Sequence, residues 1–215
     1  MERGLRKRDL ERIIESIPSF SHPKVELEQY VSPPHLVSRL IWIAAFTFND
    51  IYGRRIIDVC SGTGRLGLAA AILGANQVLM VDIDKKAIEI SWEQAKRLGL
   101  ENVVDVVCSD VRRFNLSRRF DVAVQNPPFG VKRKGADLEV LSASMNLAKV
   151  IYSIHKSETK NYIIKWVKSK GGTVNVLFEE TILLPKIYEF HYKLRHEVRV
   201  AVIRVSKVLR VGRKG

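Results

Sequence analysis

The sequence predicts an α/β fold: a doubly wound, mostly parallel sheet with an antiparallel edge strand. Three observations predict it. Short apolar runs alternate with segments of helical spacing between residues 35 and 130, and each run ends on a small, acidic or amide residue. Further on, two strand-like runs lie close together with Pro185 between them, which suits an antiparallel pair. Alternation with helices long enough to cross back over a sheet is the mark of parallel strands covered on both faces.

Taken in order, residues 1–34 read as a basic extension, helical before Pro18 and irregular through Pro23, Pro33 and Pro34. The main domain is expected over 35–215. Its first strand spans 55–60 and runs into Ser61-Gly62-Thr63-Gly64. A helix over 66–73 closes at Gly74. The second strand, 78–81, ends at Asp82, and a helix over 87–98 stops at Gly99. Strands follow at 103–107 and 121–124, ending near Asp110 and at Asn126. The segment 138–155 has helical spacing, and 173–178 and 198–205 read as the antiparallel pair.

Composition narrows the function. The chain has 215 residues, 46% of them hydrophobic and 27% charged, enough for a globular core and wrong for a disordered chain. No apolar run approaches the ~18 residues of a membrane span; the longest, 36–48, is broken by Ser38 and Arg39. The charged start lacks the apolar stretch of a secretory signal. Two cysteines, Cys60 and Cys108, are too few for a disulfide framework or a zinc site, which predicts a reduced cytoplasmic protein without metal. The net charge of +13 favours a polyanionic partner through counterion release. A merely salt-rich surface would balance its signs.

Ligands of open α/β sheets bind outside the carboxyl ends of the strands, and four constellations fall at four such ends. The first is Asp58-Val-Cys60-Ser-Gly62-Thr63-Gly64-Arg65-Leu-Gly67. Its glycines satisfy G-x-G-x-x-G, with Asp82 placed 20 residues beyond Gly62, so a dinucleotide fingerprint is met on paper. Asp58 argues against it, because a carboxylate beside a pyrophosphate is repulsive at low dielectric. A cationic ligand without phosphate, S-adenosylmethionine, is expected instead; an ordinary tight turn with a capping acid is the bland alternative. Asp82, followed by Ile83, is placed to accept ribose hydroxyls, while Asp84 reads as a helix N-cap. Asp110 can accept from an adenine amino group, with Val111 offering its N–H, or can simply cap a turn. The fourth is Asn126-Pro127-Pro128-Phe129. Two prolines remove donors and leave carbonyls beside the Asn126 amide and an aromatic ring, a site for a planar –NH₂ and its ring. Asn-Pro also begins ordinary turns.

These residues resemble class I S-adenosylmethionine-dependent methyltransferases acting on exocyclic or amide nitrogen. A longer similarity runs through Leu27-Glu28-Gln29-Tyr30, Ser32-Pro33, Asn126-Pro-Pro-Phe-Gly130 and Tyr152-Ser-Ile-His155-Lys156-Ser157. It resembles the rRNA adenine-N6 methyltransferases of archaea and eukaryotes, which modify small-subunit rRNA with a small zinc-ribbon activator. The resemblance implies a seven-stranded Rossmann-like methyltransferase sheet and an N-terminal extension in which Gln29, Tyr30 and Ser32 close over the cofactor. It also implies a pocket along Cys60, Thr63, Arg65, Asp82, Asp110 and Val111. Cys60 stands where a glycine is usual, and Ser32 where threonine is common.

The chemistry expected is acceptance of the two amino hydrogens by Asn126 Oδ1 and the Pro127 carbonyl, with Phe129 stacked on the base. Basic groups at Arg112, Arg113, Arg118 and Arg119, at Lys132, Arg133 and Lys134, at Lys193, Arg195 and Arg199, and at Arg3, Arg6, Lys7 and Arg8 suit an RNA path. His155 and Lys156 suit either phosphate contact or plain surface. The rival readings are a protein glutamine-N5 methyltransferase and a non-catalytic RNA-binding or ribosome-assembly protein on the same fold. Strand 103–107, an apolar edge in the order 3-2-1-4-5, invites either a partner strand from the activator or cover by the N-terminal extension.

Overall fold

A computed structural model describes residues 4–114, 119–185 and 195–207; Arg3, Arg118 and Lys193 of the basic groups lie outside them. Helices α1 (Lys7–Glu15) and α2 (Pro34–Phe46) precede β1 (Arg55–Val59), α3 (Arg65–Ile72), β2 (Gln77–Asp82) and α4 (Lys85–Arg97). Next come β3 (Val104–Cys108), β4 (Phe120–Gln125), α5 (Ala136–Leu147), β5 (Ala148–Lys156), α6 (Lys160–Ser169), β6 (Gly172–Pro185) and β7 (Arg195–Lys207). The seven strands form one sheet in the order β3-β2-β1-β4-β5-β7-β6. Pairing is parallel from β3 to β5, and β7 then runs antiparallel to both β5 and β6. The expected doubly wound α/β sheet with an antiparallel edge is observed.

One expectation is corrected. The segment 138–155 is a helix only to Leu147; Ala148 is extended (φ −136°) and begins β5 with no turn residue between them. Glycine and proline mark most boundaries in a sequence, and none stands here. The β-branched and aromatic cluster Val150, Ile151, Tyr152, Ile154 was the remaining signal.

Alternation along the strands divides the core. Ile56 faces the layer of α1–α4, packing with Leu10, Ile14, Leu40 and Met80. Ile57 and Val59 face α5 and α6, with Leu141, Ile163 and Val167. The amphipathic α1 buries Leu10 and Ile14 against α2 and α3, and Ile17 follows them into the core. Each such side chain contributes about 1.5–3 kcal/mol.

The register sets the site. Val59 lies level with Val81 and with Gln125, and Asp82 with Cys108. The segments leaving β1, β2, β3 and β4 therefore meet along one rim.

Candidate active site

The turn after β1 is tight enough that Cys60 takes a left-handed conformation (φ +56°), the place where a glycine has no steric penalty. Close packing beneath it explains Gly67: a Cβ there would lie 2.9 Å from Met80 Cγ and 3.0 Å from Asp58 Oδ2. Its N–H instead donates to Asp58 Oδ2 at 2.7 Å. Asp58 shares the face of Ile56, is fully buried, and has its carboxyl pushed up to about 8 by that burial. Asp58 was expected to face a cationic ligand; its side chain instead lies behind the turn, lines neither cavity and ties the turn to α3.

Two adjoining cavities open along the rim. The larger is lined by Asp82, Ile83, Asp110 and Val111 on one side and by Asn126, Pro127 and Pro128 on the other. The smaller is lined by Ser32, Thr63 and Arg65. Tyr30, Cys60, Gly62 and Asn126 border both, and Gln29 borders the larger. Of the catalytic and cofactor-binding residues expected from the sequence, Asp58, Gly64 and Phe129 line neither.

Asp82 accepts from the N–H of Gly62 at 2.8 Å through Oδ2 and from that of Asp84 at 2.9 Å through Oδ1. Burial raises its carboxyl, and these backbone donors oppose the rise. The Ile83 N–H also bonds this carboxylate, which with about four acceptor sites keeps room for a further donor. Asp84 caps α4 through the Lys86 N–H and also receives Lys24 Nζ and Gln29 Nε2, both at 2.7 Å. Burial works to raise the Asp84 carboxyl, but those donors hold it below its ordinary value. Gln29 is thus clamped to the start of α4.

Asp110 caps a 3-10 turn at Val111–Arg113 and binds Arg112 through both oxygens, at 2.8 Å to Nε and 2.6 Å to Nη2. Arg112 holds the Asp110 carboxyl below its usual range. The same guanidinium reaches Glu139 at 3.0 Å, which Arg133 also grips at 2.6 Å, so the Glu139 carboxyl stays near 2. Two of the arginines expected to meet phosphate are therefore already paired within the chain.

Asn126 is held from the N-terminal segment. Tyr30 Oη donates to Asn126 Oδ1 at 2.8 Å, and Asn126 Nδ2 donates to Ser32 Oγ at 2.9 Å. The Tyr30 ring lies 5.4 Å from that of Phe129, and Lys156 Nζ sits 5.9 Å from the Phe129 centroid. Behind the motif, the buried Gln125 receives the Ser144 hydroxyl and donates to Ser153 Oγ at 2.9 Å. Ser153 meets His155 Nε2 at 2.7 Å. His155 is 1% exposed, which removes it from any phosphate contact.

Sequence reasoning missed Phe20, which borders both cavities; a Cβ on Gly62 would lie 3.1 Å from its ring. A lone Phe in an irregular stretch carries no periodic signal. It also missed Gln125, which reads as one more strand residue.

Comparison with known proteins adds the following. The profile of the methyltransferase small domain matches residues 41–150. An uncharacterized protein of Methanocaldococcus jannaschii is 36% identical over 95% of both chains. The Danio rerio protein named rRNA N(6)-adenosine-methyltransferase METTL5 is 32% identical, covering 94% of this chain and 99% of its own. A crystal structure from Pyrococcus horikoshii, described as a candidate RNA methyltransferase, superposes with a TM-score of 0.87 at 35% identity, over 95% of this chain and 99% of that one.

Proposed function

The chain belongs to the methyltransferase small domain family, and from that premise we propose that it transfers a methyl group from S-adenosylmethionine to the exocyclic N6 of an adenine in small-subunit rRNA. One observation carries the reading: Asn126, at the head of Asn126-Pro127-Pro128-Phe129, stands where the two cavities meet. The METTL5 relatives are similar over nearly the whole chain, and the charge of +13 favours RNA over a protein glutamine.

The residues fit the cofactor. Arg65 Nε and Ser61 Oγ are buried at the smaller cavity without a hydrogen-bond partner among the described residues, and suit the carboxylate of the methionyl group. Asp82 suits the ribose hydroxyls, and Asp110 and Val111 the adenine edge. When bound, the cofactor supplies an electrophilic methyl on its sulfonium.

The chain supplies orientation and acceptors. Asn126 Oδ1 and the Pro127 carbonyl each take one hydrogen of the target amino group, so that its nitrogen pyramidalises and turns a lone pair toward the methyl. Transfer of the methyl from the bound cofactor would break its S–CH₃ bond, and the methylated nitrogen would then release a proton to water. Phe129, outside both cavities and against the Tyr30 ring, is the aromatic proposed to meet the unstacked base.

A small zinc-ribbon activator is proposed to dock on β3. This strand is an outer edge of the sheet, and α1 packs on α2 and α3 rather than along it. Two free thiols suit a reducing cytoplasm. Among the described residues, no helix is long and apolar enough to cross a membrane.

Transfer of tritiated methyl to purified small-subunit rRNA, with purified release factor in parallel, tests the reading. Label in rRNA that maps to an adenine N6 supports it. Label in the release factor alone selects the glutamine reading, and label in neither selects the scaffold.

A further inference from the structure

The N-terminal segment does more than cover a cavity. Tyr30 and Ser32, two residues apart, straddle the Asn126 amide from its oxygen and its nitrogen. A carboxamide has two nearly isosteric orientations, and they are chemically opposite: one offers an acceptor to the target amino group, the other a donor that repels it. A phenol is a stronger donor and a weaker acceptor than an alkyl hydroxyl. Tyr30 on Oδ1 and Ser32 on Nδ2 is therefore the favoured pairing, and it turns the carbonyl oxygen to the Tyr30 side. Burial pushes the Tyr30 hydroxyl well above its ordinary value, so it keeps its proton.

The segment is itself held on three sides. Arg65 Nη1 donates to the Ser32 carbonyl at 2.9 Å, Gln29 binds Asp84, and Glu28 Oε1 accepts from the Lys132 N–H at 2.7 Å. Those anchors belong to the start of α3, the N-cap of α4 and the loop after the Asn-Pro-Pro-Phe motif.

We infer that Tyr30 and Ser32 are positioning residues that lock the Asn126 amide with its oxygen toward the target nitrogen. Tyr30 takes one lone pair of Oδ1 and leaves the other for the substrate. The inference rests on the acceptor role of Asn126 proposed above.

Tyr30→Phe keeps the ring against Phe129 and removes only the hydroxyl, while Ser32→Ala removes the acceptor and Ser32→Thr restores it. The measurements are kcat and KM for methyl transfer to small-subunit rRNA, cofactor affinity by calorimetry, and thermal unfolding. The expected result is a kcat lower by roughly tenfold in Tyr30→Phe and in Ser32→Ala, the effect of one lost hydrogen bond. Melting temperature stays near wild type, kcat falls further than cofactor affinity does, and Ser32→Thr recovers the rate. An unchanged or raised kcat in Tyr30→Phe overturns the inference, the latter showing that the hydroxyl competes with substrate. A loss confined to cofactor affinity also overturns it. An active Asn126→Ala removes the role of Asn126 itself, whereas an inactive Asn126→Ala beside an unimpaired Tyr30→Phe removes only the locking.

Discussion

The backbone N–H of Gly67 donates to Asp58 Oδ2 at 2.7 Å where Asp58 has no exposed surface. One glycine without a side chain and one acid without solvent thereby join the first turn of α3 to the strand that precedes it. The other oxygen, Oδ1, has no hydrogen-bond partner among the described residues. Charging this carboxyl in place is unfavourable, and burial moves its titration up to about 8.

A pH dependence follows. The folded value lies above the ordinary carboxylate value, so the stabilisation is complete at low pH and is lost as pH rises through about 8. Between about pH 4 and 8 the unfolding free energy should therefore fall as pH rises. Asp58→Asn keeps an acceptor for Gly67 and cannot ionise. Denaturant unfolding at pH 5 and pH 8 should show a difference between those pH values that shrinks in the variant. An equal difference in both proteins assigns the slope elsewhere.

Asp82→Ala should weaken S-adenosylmethionine binding by about 1.5–3 kcal/mol, the range for hydrogen bonds to a charged group. The loop suffers as well, since Gly62 loses the acceptor of its N–H. Calorimetry with unchanged affinity would remove Asp82 from the ribose.

The two thiols should differ in reactivity. Cys108 is exposed on β3, whereas burial first, and then the nearby Asp82 and Asp58, push the Cys60 thiol well above its ordinary value. Alkylation proceeds through the thiolate. Iodoacetamide at pH 7.5, followed by mass spectrometry of the folded protein, should mark Cys108 long before Cys60. Early labelling of Cys60, which is half-buried and borders both cavities, would show that the acids beside it do not suppress its thiolate.

The docking edge needs a gentler variant than its valines first suggest. Val104 is 1% exposed and belongs to the core, so a lysine there would bury a charge and unfold the protein. Val107 is half-buried on the other face of β3. Val107→Lys should weaken co-purification with a zinc-ribbon partner at least tenfold, on the order of 1.4 kcal/mol, without lowering the melting temperature. Wild-type capture by this variant would place the partner elsewhere.

The sequence by itself determined the first four strands, the antiparallel pair at an edge and the rim at the strand ends. Apolar runs ending at Asp82, Asp110 and Asn126 are local patterns, and parallel pairing brings such ends together whatever else the chain does. The helix-to-strand passage at Leu147–Ala148 was hidden because no turn residue marks it. What only the tertiary structure decided is where side chains point and what they touch. Asp58 turned away from the cavity because strand residues alternate in face and its neighbour Ile56 belongs to the inner layer. His155 went inside because β5 lies between β4 and β7. The grip of Tyr30 and Ser32 on Asn126 joins residues 96 and 94 positions apart. No local spacing encodes such a contact; it exists because α1 and α2 pack the N-terminal segment across the ends of the strands.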